Sequence, residues 1–298
     1  MLDVVIAGGG PAGLSAALIL GRCRRRVLLC DSGRPRNACT TQANGFFTRD
    51  GTDPAELRQI GREQLDAYES VKVRDLEVVE ATRARDGFET VLSDGTRHRS
   101  RKLLLATGVV DELPDIEGFE RFYGRSIHHC PYCDGWEHRD EPIAIYGRGQ
   151  DGKGLALELT AWSRDLVLCT DGPAGLPAHD LDRLARNRIE VREERIARLE
   201  GERGVLEGIR FESGEVLPRR ALFFISGERQ ACDLALDLGC ELTRNGAIET
   251  GSYEKTAVPG LYVAGDASRF VQLIVVAAAE GAKAAFAINT ELLKEDLR

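Results

Sequence analysis

The sequence predicts an α/β protein of two Rossmann-like three-layer nucleotide-binding domains, the second inserted into the first. Three observations point there. The chain carries two glycine loops, Gly8-Gly9-Gly10-Pro11-Ala12-Gly13 and Gly147-Arg148-Gly149-Gln150-Asp151-Gly152. Each loop follows a short apolar run and opens a helical pattern, the arrangement of a phosphate-binding βαβ turn. After each comes a stretch of alternating runs with glycine turns, then an apolar run closing in Thr107-Gly108 or Ser226-Gly227.

In chain order, the first copy reads as a strand at 4–7, the loop, a helix at 14–20, a strand at 27–30 and the acid Asp31. The second reads as a strand at 143–146, the loop, a helix at 155–160, a strand at 166–169 and Asp171. Residues 76–92 and 191–215 alternate around turns such as Asp86-Gly87 and Ser213-Gly214. Such turns between alternating runs are hairpin signals. A third segment, at 259–266, is a buried strand ending in Gly265-Asp266, followed by an alanine-rich helix at 273–288. It has no glycine loop of its own and must join an existing sheet. The expected domains are therefore 1–112 with 243–298, holding the first nucleotide, and an inserted 113–242. A chain of 298 residues has room for both.

Composition excludes several classes. The formal net charge of −8 argues against nucleic acid, which is bound through clustered Lys and Arg. The basic cluster of Arg22, Arg24, Arg25 and Arg26 reads as a solvated helix end. No basic region precedes a long apolar stretch, and no run approaches a membrane span, so a cytoplasmic protein with no membrane partner is expected. There, eight cysteines are not expected to be structural disulfides. Cys23, Cys30, Cys169, Cys232 and Cys240 lie in or near apolar runs and read as small core residues. Cys39 sits in a polar loop without an assignment.

The first loop has a defined chemistry. Gly8 permits the tight turn, Gly10 lets backbone approach a pyrophosphate, and Gly13 lets helix and strand pack closely. The helix start at Pro11 and Ala12 favours negative phosphates. Asp31 stands where an acid takes ribose hydroxyls.

Between the loops lies Cys130-Pro131-Tyr132-Cys133-Asp134. Two thiols three apart can close a disulfide. Cys130 fits a helix N-cap and Pro131 the first helical position, which puts the sulfurs near a positive helix end and favours a thiolate. Asp134 can carry a proton to or from a leaving sulfur. His128 and His129 are near enough to assist, and His129 is taken as the candidate. The competing reading is a zinc site, but no second ligand pair has suitable spacing, so no metal is expected. A dithiol between two nucleotide loops suggests electrons passing between a flavin and a disulfide.

The second loop, with Gly147, Gly149 and Gly152, is followed by Asp171, which favours a free ribose 2′-hydroxyl and repels a 2′-phosphate. Thr170 to Pro173 offer no positive charge. NADH or a second flavin nucleotide is more plausible here than NADPH, and an empty site is the alternative.

These residues resemble the low-molecular-weight thioredoxin reductase family over nearly the whole chain. Gly8 to Gly13 resembles its FAD loop, and Ala106-Thr107-Gly108 and Cys130 to Gly135 its Ala-Thr-Gly and Cys-x-x-Cys-Asp-Gly segments. The resemblance implies that Asn44 contacts FAD, that Asp266 binds its ribityl chain, and that Gln272 faces the flavin. It implies that Cys133 lies against the flavin, Cys130 attacks the substrate and Asp134 is the acid–base. It also implies a homodimer whose inserted domain rotates. Cys169-Thr170-Asp171 replaces the family's basic cluster for the NADPH phosphate, and Val271 replaces the Arg before the Gln. In this the chain looks closer to the dithiol oxidase branch, although that branch often carries His where Asp134 stands.

The expected function is therefore an FAD-dependent thiol–disulfide oxidoreductase that uses NADPH poorly. Its substrate would be a dithiol or disulfide, in a thioredoxin-like protein or a small molecule. The alternatives are an NADPH-dependent thioredoxin reductase and, in another class, a flavin-bound redox sensor or binding module.

Overall fold

The computed structural model describes residues 1–225 and 227–298; Ser226, read above as closing the last strand of the inserted domain, lies outside them. The chain forms two compact units. One comprises Met1–Ala38, Gly45–Val110 and Glu228–Arg298; the other comprises Cys39–Asn44 and Asp111–Gly227.

The sheet of the first unit is built from Val71–Arg74, Val27–Cys30, Leu2–Ala7 and Arg97–Leu105, all parallel neighbours in that order. Arg97–Leu105 is long enough to serve two partners. Its first half pairs antiparallel with Gly87–Leu92, which continues to Val78–Ala84. Its last three residues pair parallel with Leu261–Val263. The third segment does join the first sheet, as its lack of a glycine loop required. Its central strands are apolar at nearly every position because helices or loops cover both faces. Leu29, Leu103 and Leu104 are fully buried, and each such side chain contributes about 1.5–3 kcal/mol.

The helix Pro11–Arg22 packs one face on this sheet and another on the C-terminal helix Ile274–Asp296. Small residues on both helices permit this approach. A Cβ at Gly281 would overlap the Ala12 carbonyl. The C-terminal helix runs well past the expected 273–288 because its last turns carry the acids that grip the first unit's edge. Arg25 is buried, and it donates to Asn289 at 2.7 Å and Asp296 at 2.7 Å. The reading of the whole basic cluster as solvated is therefore corrected at Arg25.

The second unit holds a five-stranded parallel sheet in the order Glu190–Arg192, Leu166–Cys169, Ile143–Tyr146, Ala221–Phe224 and Ile127–His128. The antiparallel excursion is a separate sheet of Ile196–Glu202, Val205–Phe211 and Val216–Pro218. The chain passes from unit to unit through Val109–Glu112 and Gly227–Gln230. The return falls at 227/228 and not at the expected 242/243. Leu234, Ala235, Leu238 and Cys240 account for this. They are buried against Val5, Leu28 and Leu105, in the core of the first unit.

Candidate functional site

The first glycine loop is closed on one side and open on the other. Gly8 has φ of +112°, and its N–H donates to the Cys30 carbonyl at 2.8 Å. A Cβ at Gly13 would overlap the Gly8 carbonyl, so the helix sits directly on the turn. At Gly10 a Cβ would meet nothing within 4 Å. Gly10 is also the helix N-cap, and no side chain caps it. Backbone N–H groups at that end are thus left for an anion, and Pro11, at the first helical position, has no N–H to lose.

Asp31 completes the loop. Its carboxylate lies so near Gly9 that a Cβ there would overlap it. It accepts from Gly33 N–H at 3.1 Å and lies 3.6 Å from the Arg62 guanidinium. Arg62 stands in the last turn of the helix Pro54–Glu63, whose start is fixed by Asp53 accepting from Ala55 N–H at 2.7 Å. Arg62 Nε is buried without a hydrogen-bond partner, a donor left over beside the loop. The open glycine, the uncapped helix start, the acid and this orphaned donor together fit the diphosphate and ribose of a dinucleotide such as FAD.

Thr107 and Gly108 follow the central strand. The Gly108 carbonyl accepts from Ala231 N–H at 3.2 Å. Gly265 has φ of +82° and donates to Glu280 at 2.9 Å. Burial pushes the Glu280 carboxyl above its ordinary range. The turn so fixed carries Asp266, which accepts from Arg36 at 3.0 Å; the same nitrogen donates to Gln272 at 2.5 Å. Gln272 in turn donates to Glu228 at 2.7 Å. Asp266 and Gln272 are therefore brought together through Arg36. Sequence reasoning missed Arg36, Arg62, Glu228 and Glu280, since no motif flags a lone charge far along the chain from its partner.

In the second unit Cys130 and Cys133 are joined as a disulfide, with Cα atoms 5.3 Å apart. Cys130 is the N-cap and Pro131 the first residue of Pro131–Asp134, as expected. That helix is a single turn, so the help it gives a thiolate through its dipole is small, because the dipole sums over aligned peptides. Asn44, expected at the flavin, donates to the Cys133 carbonyl at 2.9 Å and so ties the dithiol turn to the 39–44 segment. Tyr132 and Trp136 flank the pair and are largely exposed.

The two histidines face different partners. His128 is buried, and its Nδ1 lies 3.4 Å from Asp134. His129, the residue selected from sequence, bonds through Nδ1 with the Tyr123 hydroxyl at 3.2 Å, and Tyr123 donates to Asp111 at 2.7 Å. His128 is thus the imidazole placed beside the acid. No cluster of side chains suited to a metal occurs among the described residues.

The second glycine loop has the same closed side: a Cβ at Gly152 would meet Gly147 backbone at 2.5 Å. Gly149 is open, with nothing within 4 Å of its Cβ position. Asp171 differs from Asp31 in that two guanidiniums and a backbone N–H reach its carboxylate. It accepts from Ile196 N–H at 2.8 Å and Arg195 at 3.2 Å, and Arg148 lies 3.5 Å away. Arg148 also donates to the Thr170 carbonyl at 2.5 Å and to that of Asp171. The expectation that this corner holds no positive charge is therefore corrected. Two guanidiniums reach it, one from the loop and one from 24 residues downstream.

A redox dithiol in one nucleotide fold, with a dinucleotide loop in the other, defines a class of enzyme: the flavoprotein disulfide oxidoreductases. The chain belongs to the pyridine nucleotide-disulphide oxidoreductase family, whose model matches residues 2–281; the family binds FAD and works with a pyridine nucleotide. Its relatives include proteins named thioredoxin reductases, and it resembles solved thioredoxin reductases of the low-molecular-weight type. The chain is 34% identical to thioredoxin reductase tcpT of Claviceps purpurea over 99% of this chain and 95% of that protein. A match to a probable thioredoxin reductase of Arthroderma benhamiae is 36% identical but spans 57% of this chain and 44% of that protein. The solved structure of a putative thioredoxin reductase TrxB from Bacillus anthracis has a TM-score of 0.94 and 36% identity, covering 99% of this chain and 100% of the other. That of HlmI has a TM-score of 0.93 and 36% identity, covering 99% and 94%.

Proposed function

We propose that this enzyme is an FAD-dependent thiol–disulfide oxidoreductase that passes electrons through Cys130 and Cys133 and uses NADPH poorly. The observation that carries the reading is the closed Cys130–Cys133 disulfide at the start of a helical turn, with Asp134 next to it. When bound, FAD supplies a centre that gives or takes two electrons. Gly8, Gly10, Pro11, Ala12, Gly13 and Asp31 would hold its diphosphate and ribose. Thr107, Gly108, Gly265, Asp266 and Gln272 are assigned to the rest of it, with Asn44 holding the dithiol turn.

In the reducing direction, Cys130 thiolate attacks a substrate disulfide. A Cys130–substrate bond forms and the leaving sulfur takes a proton, delivered by Asp134. Cys133 thiolate then attacks the Cys130 sulfur, which closes the Cys130–Cys133 disulfide and releases the second substrate thiol. The oxidising direction is the reverse, with Asp134 accepting the proton. The substrate is a disulfide or dithiol, in a thioredoxin-like protein or a small molecule.

Poor use of NADPH is supported by Asp171. A 2′-phosphate would meet this carboxylate, and the two arginines that could take the phosphate are already bound to it. NADH would find the same acid already holding two hydrogen bonds and a further ion pair. A homodimer in the cytoplasm is part of the proposal. The exposed Phe270, together with Tyr253 and Phe286 whose rings lie 5.9 Å apart, supports a covered face beside the C-terminal helix. No helix among the described residues is long and apolar enough to cross a membrane.

Anaerobic titration of purified holoenzyme with NADPH, NADH and dithiothreitol in parallel tests the reading. Dithiothreitol should bleach the flavin absorbance, and NADPH should do so far more slowly. Rapid bleaching by NADPH would favour a conventional NADPH-dependent thioredoxin reductase. Bleaching without multiple turnover on any dithiol would favour a redox sensor.

A further inference from the structure

Behind the dithiol, four side chains of the second unit form a line. Asp134 Oδ1 lies 3.4 Å from His128 Nδ1. His128 Nε2 lies 3.0 Å from His138 Nε2 and 3.2 Å from the Arg125 carbonyl. His138 Nδ1 lies 2.8 Å from Glu141. The Phe223 ring packs on both imidazoles, 5.5 Å from His128 and 6.2 Å from His138. The titratable groups facing His128 from these elements are thus Asp134 and His138, with Glu141 beyond.

Hydrogen-bond direction along this line has one self-consistent solution. A carbonyl oxygen only accepts, so the Arg125 carbonyl requires a proton on His128 Nε2. His138 Nε2, facing that N–H, must then accept. A neutral His138 therefore carries its proton on Nδ1 and donates it to the Glu141 carboxylate. With its proton on Nε2, a neutral His128 presents a bare Nδ1 lone pair to Asp134. Two acceptors cannot face each other favourably, so a further proton belongs between Asp134 and His128 Nδ1.

We propose that Asp134 and His128 share one proton as a single acid–base unit, and that His138 and Glu141 are positioning residues that hold His128 in the Nε2–H tautomer. The proposal rests on the dithiol function argued above and deepens it. When a sulfur leaves, the shared proton goes to it and the unit is left as the Asp134 carboxylate facing a bare His128 Nδ1; when a thiol of the pair or of the substrate next ionises, its proton refills that place. Without His128, Asp134 stands alone as a full negative charge beside the dithiol and opposes thiolate formation. The buried, outwardly structural His128 would then govern the acidity of Cys130.

Two measurements test this without any electron reaching flavin, so they stand or fall separately from the reading of the whole enzyme. In holoenzyme labelled with ¹⁵N-histidine, His128 should show Nε2–H with bare Nδ1 or become doubly protonated, and His138 should show Nδ1–H. A neutral Nδ1–H form of His128 would overturn the proposal. In reduced holoenzyme, the rate of Cys130 alkylation by iodoacetamide is followed against pH by mass spectrometry of its peptide. His128→Phe should move the midpoint up by about one pH unit, roughly a tenfold slowing below it. His138→Phe should move it the same way by less. In an Asp134→Asn background, His128→Phe should add nothing further. An unmoved profile in His128→Phe, or an equal shift in the Asp134→Asn background, would show that His128 acts only on packing. If alkylation and tautomers follow this pattern while no dithiol reduces the flavin, the acid–base unit survives and the proposed function does not.

Discussion

The guanidinium of Arg148, on the second glycine loop, lies 3.5 Å from the carboxylate of Asp171 at the end of the next strand. Arg195 reaches the same carboxylate at 3.2 Å. Two guanidiniums and one carboxylate thus share this corner of the second glycine loop.

Removing the acid should release the two arginines. Asp171→Ser is expected to improve NADPH over NADH by about tenfold or more, because a charge-assisted bond to phosphate contributes about 1.5–3 kcal/mol. Arg148→Ala should do the opposite, freeing Asp171 for a ribose hydroxyl. Anaerobic flavin bleaching with each nucleotide gives the ratio. Unchanged ratios in both variants would mean that this corner does not contact nucleotide.

The roles of the two sulfurs can be separated by colour. Cys130→Ser should leave Cys133 as a thiolate able to interact with oxidised flavin, giving a long-wavelength charge-transfer absorbance. Cys133→Ser should lack it. The reverse pattern would exchange the assignments.

Gly281 sets the spacing of two helices. Its replacement by Val places atoms on the Ala12 carbonyl, which is backbone and cannot turn aside. We expect a loss of about 2–4 kcal/mol and weaker retention of FAD, since the displaced helix Pro11–Arg22 carries the first loop. Thermal unfolding and flavin release on gel filtration report both. A variant with an unchanged melting temperature would contradict the packing described.

Glu291 ties stability to acid pH. Burial raises its carboxyl, but hydrogen bonds from Lys255 and Lys102 outweigh burial and hold it at about 2, against an ordinary 4.5. A depressed carboxylate stabilises the fold above its unfolded value. The contribution is fully present above pH 4.5 and is lost as pH falls toward 2. With solvent screening it amounts to about 1 kcal/mol. Glu291→Gln should therefore lower the urea midpoint at pH 7 and approach the parent protein near pH 2. A difference that grows on acidification would reverse the sign.

Cysteine reactivity should follow burial. Cys30 and Cys169 are pushed up to about 12, mainly by burial, and should resist iodoacetamide in the native protein at pH 8. Cys23, expected from sequence to be a core residue, is exposed and should react readily. Its position near the end of Pro11–Arg22 explains the difference, because the face that reaches the core has already ended at Leu20 and Gly21. Peptide mapping after brief labelling distinguishes them.

The parts written in local pattern were legible. Glycine spacing, apolar runs and Cys-x-x-Cys each specify backbone geometry within a few residues, so the loops, sheets and dithiol turn could be placed. The parts that depend on distant partners were not. Leu234, Ala235 and Leu238 are apolar in either domain, and only packing against Val5 and Leu28 assigns them to the first. Arg195 meets Asp171 from across an intervening helix and strand, and His138 meets His128 through a turn. No spacing rule covers either pair. His128 closes the two-residue strand Ile127–His128 and His129 lies just beyond its end, so no strand pattern in the sequence tells the two apart.

The first unit takes its last strand, Leu261–Val263, and its closing helix from the final part of the chain. During synthesis its sheet must wait with Leu103 to Leu105 unpaired along one edge until those residues leave the ribosome. The inserted unit, contiguous from Asp111 to Gly227 apart from a short segment, is complete earlier. A nascent chain therefore acquires its redox disulfide module before it owns a finished flavin cradle, and a truncated product would expose reactive thiols with no cofactor to discipline them.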